Sequence, residues 1–224
     1  MPFDIDRWVR DNKKRIAREF IRRSDLKASE LPVGIITAGL PGAGKTEFTQ
    51  ELLKHTAGSP LRIDMDEVAT MIEGYRPEIA DKFRIGASAI MNRIYDEVVK
   101  SKIDFVLDGT FAGKQSVGNI ERAIAHGYTI KLYYIYQQPA VAWNFTQARE
   151  KIEHRSIDRA GFIDTYFRFH ENLKELEKHL QHITVSIIIK NENNEVGIVS
   201  ENIPNILQSI PEQMTRIELE KALQ

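Results

Sequence analysis

The fold is decided by the stretch Val33-Gly-Ile-Ile-Thr-Ala-Gly39-Leu-Pro-Gly-Ala-Gly44-Lys45-Thr46, in which an apolar run leads directly into a glycine-rich turn. The apolar residues predict a buried strand, and the residues after Gly44 predict a helix. Glycines lack a Cβ, so the backbone of the turn can curl and direct successive N–H groups inward. Together with the start of the helix, these groups predict an anion-binding site.

The spacing of Gly39, four residues, and Gly44-Lys45-Thr46 matches the phosphate-binding loop of nucleotide-binding proteins. In that loop we expect Lys45 to contact the β- and γ-phosphates of ATP, and the Thr46 hydroxyl to bind the Mg²⁺ that bridges them. The residues expected to bind ATP are Gly39, Leu40, Pro41, Gly42, Ala43, Gly44, Lys45, Thr46 and Glu47. The alternative is a glycine turn without a ligand.

Two further apolar segments, residues 61–63 and 103–107, each end in carboxylates. The carboxyl ends of parallel strands meet at one edge of a sheet, where ligands bind. We therefore expect Asp66 to accept the proton of an acceptor hydroxyl, and Asp108 to hold the magnesium shell directly or through water. The alternatives are that Asp64 or Asp66 caps a short helix and that Asp108 begins an ordinary Asp-Gly turn.

Arginines follow the predicted fourth strand, residues 128–136, in a charge-dense passage that includes Arg149 and Arg155. Arginines in this position can close over the phosphates and neutralise charge in the transition state. The alternative is the solvated end of a helix that starts at Pro139.

The alternation of strand and helix patterns predicts an α/β fold, with a parallel sheet sandwiched by helices and the active site at the strand C-termini. We expect a single domain over residues 1–224 with a core of about residues 30–190. Residues 1–29 would supply a basic amphipathic helix and a linker, and residues 200–224 a helical tail. Residues 78–100 have the apolar period of one long helix.

Composition narrows the classes of function. The chain has 224 residues, of which 42% are hydrophobic and 28% charged, as in ordinary globular domains. Its formal net charge of −1 argues against nucleic acid as a partner, and the absence of cysteine excludes disulfides and thiolate chemistry. No apolar run approaches the roughly 18 residues of a membrane span, so we expect a cytoplasmic protein.

The order of these motifs along the chain resembles that of the zeta toxin family of kinases, over about residues 30 to 190. The resemblance is carried by Gly39 to Thr46, Ile63-Asp-Met-Asp66, Leu107-Asp-Gly-Thr110, Gly127-Tyr128, Arg149 and Arg155. It implies ATP-dependent phosphorylation of UDP-N-acetylglucosamine, an activated cell-wall precursor sugar, and control by a small helical antitoxin. It also implies that Asp66 is the base, that Thr46 and Asp108 hold magnesium, and that the phosphates are held by Lys45, Arg149 and Arg155.

The chain departs from the family in the acceptor half of the site. The family usually has Glu in place of Asp108, and an arginine just after the Gly-Thr pair, where this chain has Phe111-Ala-Gly113 followed by Lys114. Two alternatives stay open. One is a kinase for a nucleoside, an antibiotic or a polynucleotide end. The other is a nucleotide-binding switch module, against which the chain has no Asn-Lys-x-Asp base-reading motif.

Overall fold

A computed structural model describes residues 3–224 except residues 57, 154–156, 194, 202, 204, 205, 211 and 212; the side chains of residues 150–153, 180, 198 and 207 are also outside the description. The strands are β1 (Val33–Ala38), β2 (Leu61–Asp64), β3 (Phe105–Asp108), β4 (Thr129–Tyr136), β5 (Ile183–Lys190) and β6 (Val196–Ser200). The helices are α1 (Ile5–Ser24), α2 (Lys45–His55), α3 (Met65–Thr70), α4 (Arg84–Lys100), α5 (Ser116–Ala125), α6 (Pro139–Glu153), α7 (Arg159–Leu176), α8 (Ile206–Ser209) and α9 (Arg216–Ala222). Two 3-10 helices span Pro77–Phe83 and Glu177–His182.

The six strands form one sheet in the order β2-β3-β1-β4-β5-β6, flanked by helices. The first five strands are parallel, and β6 returns antiparallel to β5. The predicted mostly parallel α/β fold is therefore confirmed. Because β1 lies between β3 and β4, the glycine-rich turn leaves the sheet near its centre, at the edge where the strands end.

The central strands are apolar because helices cover them. Five of the six residues of β1 are buried, and so is every residue of β3. One hydrophobic cluster combines these strands with α1, α3, α4, α5 and the second half of α7. A smaller cluster joins the glycine-rich turn to α6, the start of α7 and α9.

The amino-terminal helix α1 packs against α4. The Asp4 side chain caps its first turn by accepting a hydrogen bond from the Arg7 N–H at 2.9 Å. The residues of α1 buried in the main cluster are Val9, Ile16, Ala17 and Phe20. The predicted amphipathic helix is thus present, and its apolar side contributes to the core. No helix among the described residues has the length and apolar character needed to cross a membrane.

The prediction of one long helix over residues 78–100 is wrong. Residues 77–83 form a 3-10 helix that is interrupted at Ile79, where φ is −128°, and the α-helix begins only at Arg84. Pro77 starts the 3-10 segment, and its tighter winding keeps a similar spacing of apolar residues. Pro77, Glu78, Ala80 and Asp81 of the 3-10 segment line a cavity beside the glycine-rich turn.

Candidate active site

Three glycines of the turn, Gly39, Gly42 and Gly44, have positive φ, and at the first two a Cβ would also clash with neighbouring backbone. Gly39 has φ +143° and Gly42 has φ +77°. A Cβ on Gly39 would lie 2.3 Å from the Ile135 carbonyl oxygen, and one on Gly42 would lie 2.1 Å from the carbonyl oxygen of Ala142. The turn is therefore held between β4 and α6, and α2 begins directly after it at Lys45.

The Lys45 ammonium lies inside the turn, where its Nζ donates a hydrogen bond to the Leu40 carbonyl oxygen at 2.7 Å. Burial lowers the pKa of Lys45 to about 8, while the Asp108 carboxylate raises it and Arg149 lowers it further. Both neighbours therefore lie close enough to act on the ammonium through space. A phosphate group could replace the Leu40 carbonyl as the partner of this cation.

The strand-end acids of β2 and β3 lie side by side, because Asp64 pairs in register with Asp108. Asp64 is the N-cap of α3: its Oδ1 accepts from the Asp66 N–H at 3.0 Å and from the Glu67 N–H at 2.9 Å. Burial raises the pKa of Asp64, against the opposing effects of the Glu67 N–H and Arg62. The capping role belongs to Asp64, so the exposed Asp66, in the first turn of α3, can serve another role in the cavity.

Asp108 is buried and its carboxylate is held from two sides. Its Oδ1 accepts a hydrogen bond from the Thr37 hydroxyl at 2.9 Å, and that hydroxyl accepts from the Gly109 N–H at 3.2 Å. Its Oδ2 accepts from Arg62, at 3.2 Å from Nε and 2.7 Å from Nη2. Sequence reasoning missed both Thr37 and Arg62. The available signal was the charged Arg62 in an apolar strand, two residues before Asp64 and hence on the same face.

A cavity of about 620 Å³ brings the predicted residues together. Its lining includes Pro41, Gly42, Gly44, Lys45, Thr46, Glu47, Asp64, Asp66, Asp108 and Arg149. Gly39, Leu40 and Ala43 belong to the same turn but do not line the cavity. Arg155 lies outside the described residues. The lining of the cavity thus combines the glycine-rich turn and Lys45 with Asp66 at the start of α3.

A second cavity of about 320 Å³ adjoins the first and shares Met65, Asp108, Gly109 and Thr110 with it. Its other lining residues include Ser88, Asn92, Lys114, Gln115 and Asn119. Hydroxyl, amide and ammonium groups on an apolar floor suit a polar, uncharged or anionic ligand.

The turn between the two cavities is fixed from α7. Phe111 is not a glycine, yet its backbone is left-handed, with φ +61°. Its side chain is buried. The Asn172 side-chain amide donates to the Phe111 carbonyl oxygen at 2.7 Å and to the Gly113 carbonyl oxygen at 3.0 Å. These two bonds stabilise a conformation that is otherwise unfavourable for a residue with a Cβ.

Thr46 and Asp108 offer the hydroxyl and carboxylate oxygens that suit magnesium. Among the described residues, no group of three or more His, Asp or Glu side chains could hold a metal ion. The Thr46 and Asp108 side chains nevertheless line the same cavity as the glycine-rich turn. Mg²⁺ is commonly bound by one or two protein oxygens, with phosphates and waters completing its shell.

Comparison with known proteins gives the family and the fold. The family model for zeta toxin matches residues 18–203. The structure is similar to one from the PezAT chromosomal toxin–antitoxin system of Streptococcus pneumoniae, with a TM-score of 0.69 and 17% identity over 99% of this chain and 93% of that chain. It also resembles a chain of the AvrRxo1-ORF1:AvrRxo1-ORF2 complex in its sulphate-containing structure, with a TM-score of 0.57 and 14% identity over 96% and 69% of the two chains. The comparison with the ATP-containing structure of that complex gives a TM-score of 0.56 and 15% identity, over 96% of this chain and 69% of that chain. No curated protein sequence matches the chain.

Proposed function

Because the chain belongs to the zeta toxin family, we propose that it is a kinase that transfers the γ-phosphoryl group of ATP to a hydroxyl of a small molecule. The observation that carries the proposal is the placement of Asp66 in the same cavity as Lys45 and the glycine-rich turn. The first candidate acceptor is a sugar nucleotide such as UDP-N-acetylglucosamine. ATP as the donor favours a cytoplasmic location. We also propose that residues 1–224 form one domain.

The nucleotide half of the reaction rests on the turn from Gly39 to Glu47. Its backbone N–H groups bind the phosphates, and the Lys45 ammonium leaves the Leu40 carbonyl to contact them. Arg149 adds a second cation from α6, and Arg155 would add a third from the same passage. Thr46 and Asp108 would hold Mg²⁺, Asp108 either directly or through water. When bound, the metal neutralises charge on the transferred group.

The acceptor half rests on Asp66. Its carboxylate accepts the proton of the acceptor hydroxyl while the hydroxyl oxygen forms a bond to the γ-phosphorus. The bond from that phosphorus to the bridging oxygen breaks, and ADP leaves with the electron pair. Asp64 supports this role by capping α3, because its hydrogen bond to the Asp66 N–H fixes the backbone that carries the base.

The cavity that adjoins the site supports a polar acceptor. Ser88, Asn92 and Asn119 offer hydroxyl and amide groups that can bind sugar hydroxyls or an acetamido group. Lys114 is the basic side chain among the described residues that line it, and it would face the diphosphate of a sugar nucleotide. Lys114 would then replace the arginine that the family usually has near this turn.

An antitoxin protein is the proposed partner. The PezAT structure comes from a toxin–antitoxin system, and the AvrRxo1-ORF1 structures contain a second protein. Both observations concern proteins with this fold and support a complex in which a partner restrains the kinase.

Transfer of label from γ-labelled ATP to a panel of sugar nucleotides, nucleosides and oligonucleotides tests the proposal. Asp66→Asn should lower kcat by about a hundredfold or more, the usual contribution of a general base, and leave ATP binding unchanged. Glu67→Gln is the matched control, because Glu67 is the next exposed carboxylate of α3 and does not line the cavity. Absence of transfer to every acceptor, or equal activity of the two variants, would overturn the assignment.

A further inference from the structure

Arg62 bridges the two strand-end carboxylates of the site. Its Nη2 donates to Asp108 Oδ2 at 2.7 Å and to Asp64 Oδ2 at 3.2 Å, while Nε makes a second contact with Asp108. The bridge follows from the sheet: Asp64 and Asp108 are in register on neighbouring strands, and Arg62 lies two residues before Asp64 on the same face. The Arg62 guanidinium therefore binds the carboxylates at the ends of two neighbouring strands, β2 and β3.

The bridge is shielded from solvent. The side chain of Arg62 is 26% exposed, that of Asp64 19%, and that of Asp108 only 4%. Solvent and salt screen charges weakly in this setting. Each charged side chain of the bridge therefore changes the affinity of the site for other ions more than an exposed charge on the surface would. Without the arginine, two adjacent carboxylates at the edge of a nucleotide cavity would attract a divalent cation.

With the arginine present, the same carboxylates have little capacity left for a metal. The oxygens of Asp108 accept from Thr37 and Arg62, and those of Asp64 accept from Arg62 and from two backbone N–H groups of α3. A cation bound directly to Asp108 would also lie within a few ångströms of the guanidinium and be repelled by it. The phosphates of a nucleotide would supply the negative charge that the protein lacks.

We infer that Arg62 is a positioning residue that acts as a built-in counter-cation: it orients Asp64 and Asp108 and prevents them from binding a divalent metal until a nucleotide is present. The inference rests on the proposed function, in which Asp108 belongs to the magnesium site. It adds that the metal enters together with ATP, because Arg62 already engages the carboxylate pair of Asp64 and Asp108.

Binding of Mn²⁺, measured from the electron paramagnetic resonance signal of the free ion, tests the inference without a turnover assay. The wild-type protein should bind Mn²⁺ tightly only when a non-hydrolysable ATP analogue is added. Arg62→Met should bind Mn²⁺ without nucleotide at least about tenfold more tightly than wild type, because the repelling charge is gone. Arg62→Lys retains the charge and should behave like wild type. Adding Asp108→Asn to Arg62→Met should remove the gain.

Three results would overturn the inference. The first is tight binding of Mn²⁺ by the wild-type protein without nucleotide. The second is a folded Arg62→Met protein whose Mn²⁺ affinity is unchanged. The third is an Arg62→Lys protein that gains nucleotide-free Mn²⁺ affinity, as only Arg62→Met should. The first needs no variant, so the test stands even if Arg62→Met does not fold. A failure of the proposed function would show instead as absence of phosphoryl transfer to every acceptor, which this binding measurement does not detect.

Discussion

The pH dependence of ATP binding tests the environment of Lys45 directly. Burial lowers the pKa of its ammonium from 10.5 to about 8, an effect that the nearby Asp108 only partly offsets. Bound phosphates bring negative charge to the ammonium and favour its protonated form. ATP binding should therefore be accompanied by proton uptake at and above pH 8, and should weaken as the pH rises.

The size of the effect follows from the pKa of about 8. Roughly nine-tenths of Lys45 side chains are charged at pH 7 and roughly one-tenth at pH 9. If only the charged form binds the phosphates, the apparent dissociation constant of ATP·Mg²⁺ rises about tenfold, or about 1.4 kcal/mol, between these pH values. Proton uptake should be about 0.5 per ATP at pH 8 and about 0.9 at pH 9.

Isothermal titration calorimetry in buffers of different ionisation enthalpy measures both the affinity and the protons taken up. Lys45→Met is the control: it has no titrating group at this position, so any remaining pH dependence belongs to ATP or to other residues. Lys45→Arg keeps its charge and should bind equally at pH 7 and 9. A wild-type affinity that changes by less than about threefold, or a Lys45→Met variant with the same pH dependence, would refute the reasoning.

Two further predictions concern stability, and urea denaturation measures both. Gly42→Ala should lower the free energy of unfolding by about 2–4 kcal/mol, because the new Cβ would lie 2.1 Å from the Ala142 carbonyl oxygen. Gly58→Ala, at a similar φ but with no described atom within 4 Å, should cost only about 1 kcal/mol; equal losses would contradict the packing argument. Tyr128→Phe should cost about 1–2 kcal/mol, because its hydroxyl proton is shared between the Ile103 and Val98 carbonyl oxygens, at 2.9 Å and 3.1 Å, and an unchanged midpoint would contradict this.

The features that the sequence predicts well are those that local patterns determine. The glycine-rich turn begins directly after β1 and ends where α2 begins, because the spacing of Gly39 and Gly44 and the apolar run before them are both local signals. Parallel strand ends meet at one edge, so the acids that end two predicted strands were expected at the same edge of the sheet, where Asp64 and Asp108 are in register. Which acid caps α3 was left open, and the hydrogen bonds assign the cap to Asp64.

The features that the sequence does not predict depend on contacts between distant segments. The bond from Arg62 to Asp108 requires the register of β2 on β3, which periodicity alone does not determine. The left-handed Phe111 has no local signal, since its conformation is stabilised by Asn172 from a helix 61 residues later in the chain. The break before α4 was missed because apolar spacing continues through both kinds of helix.

The position of β1 in the sheet also determines when the nucleotide-binding turn can form during synthesis. Both strands that pair with β1 come later in the chain: Gly34 pairs with Phe105, and Val33 pairs with Thr129. At typical ribosome speeds, the 71 residues from Gly34 to Phe105 take roughly 4–14 s to synthesise. During that interval the apolar β1 lacks both of its partner strands, so the nascent chain presents a binding segment for chaperones before it can bind a nucleotide.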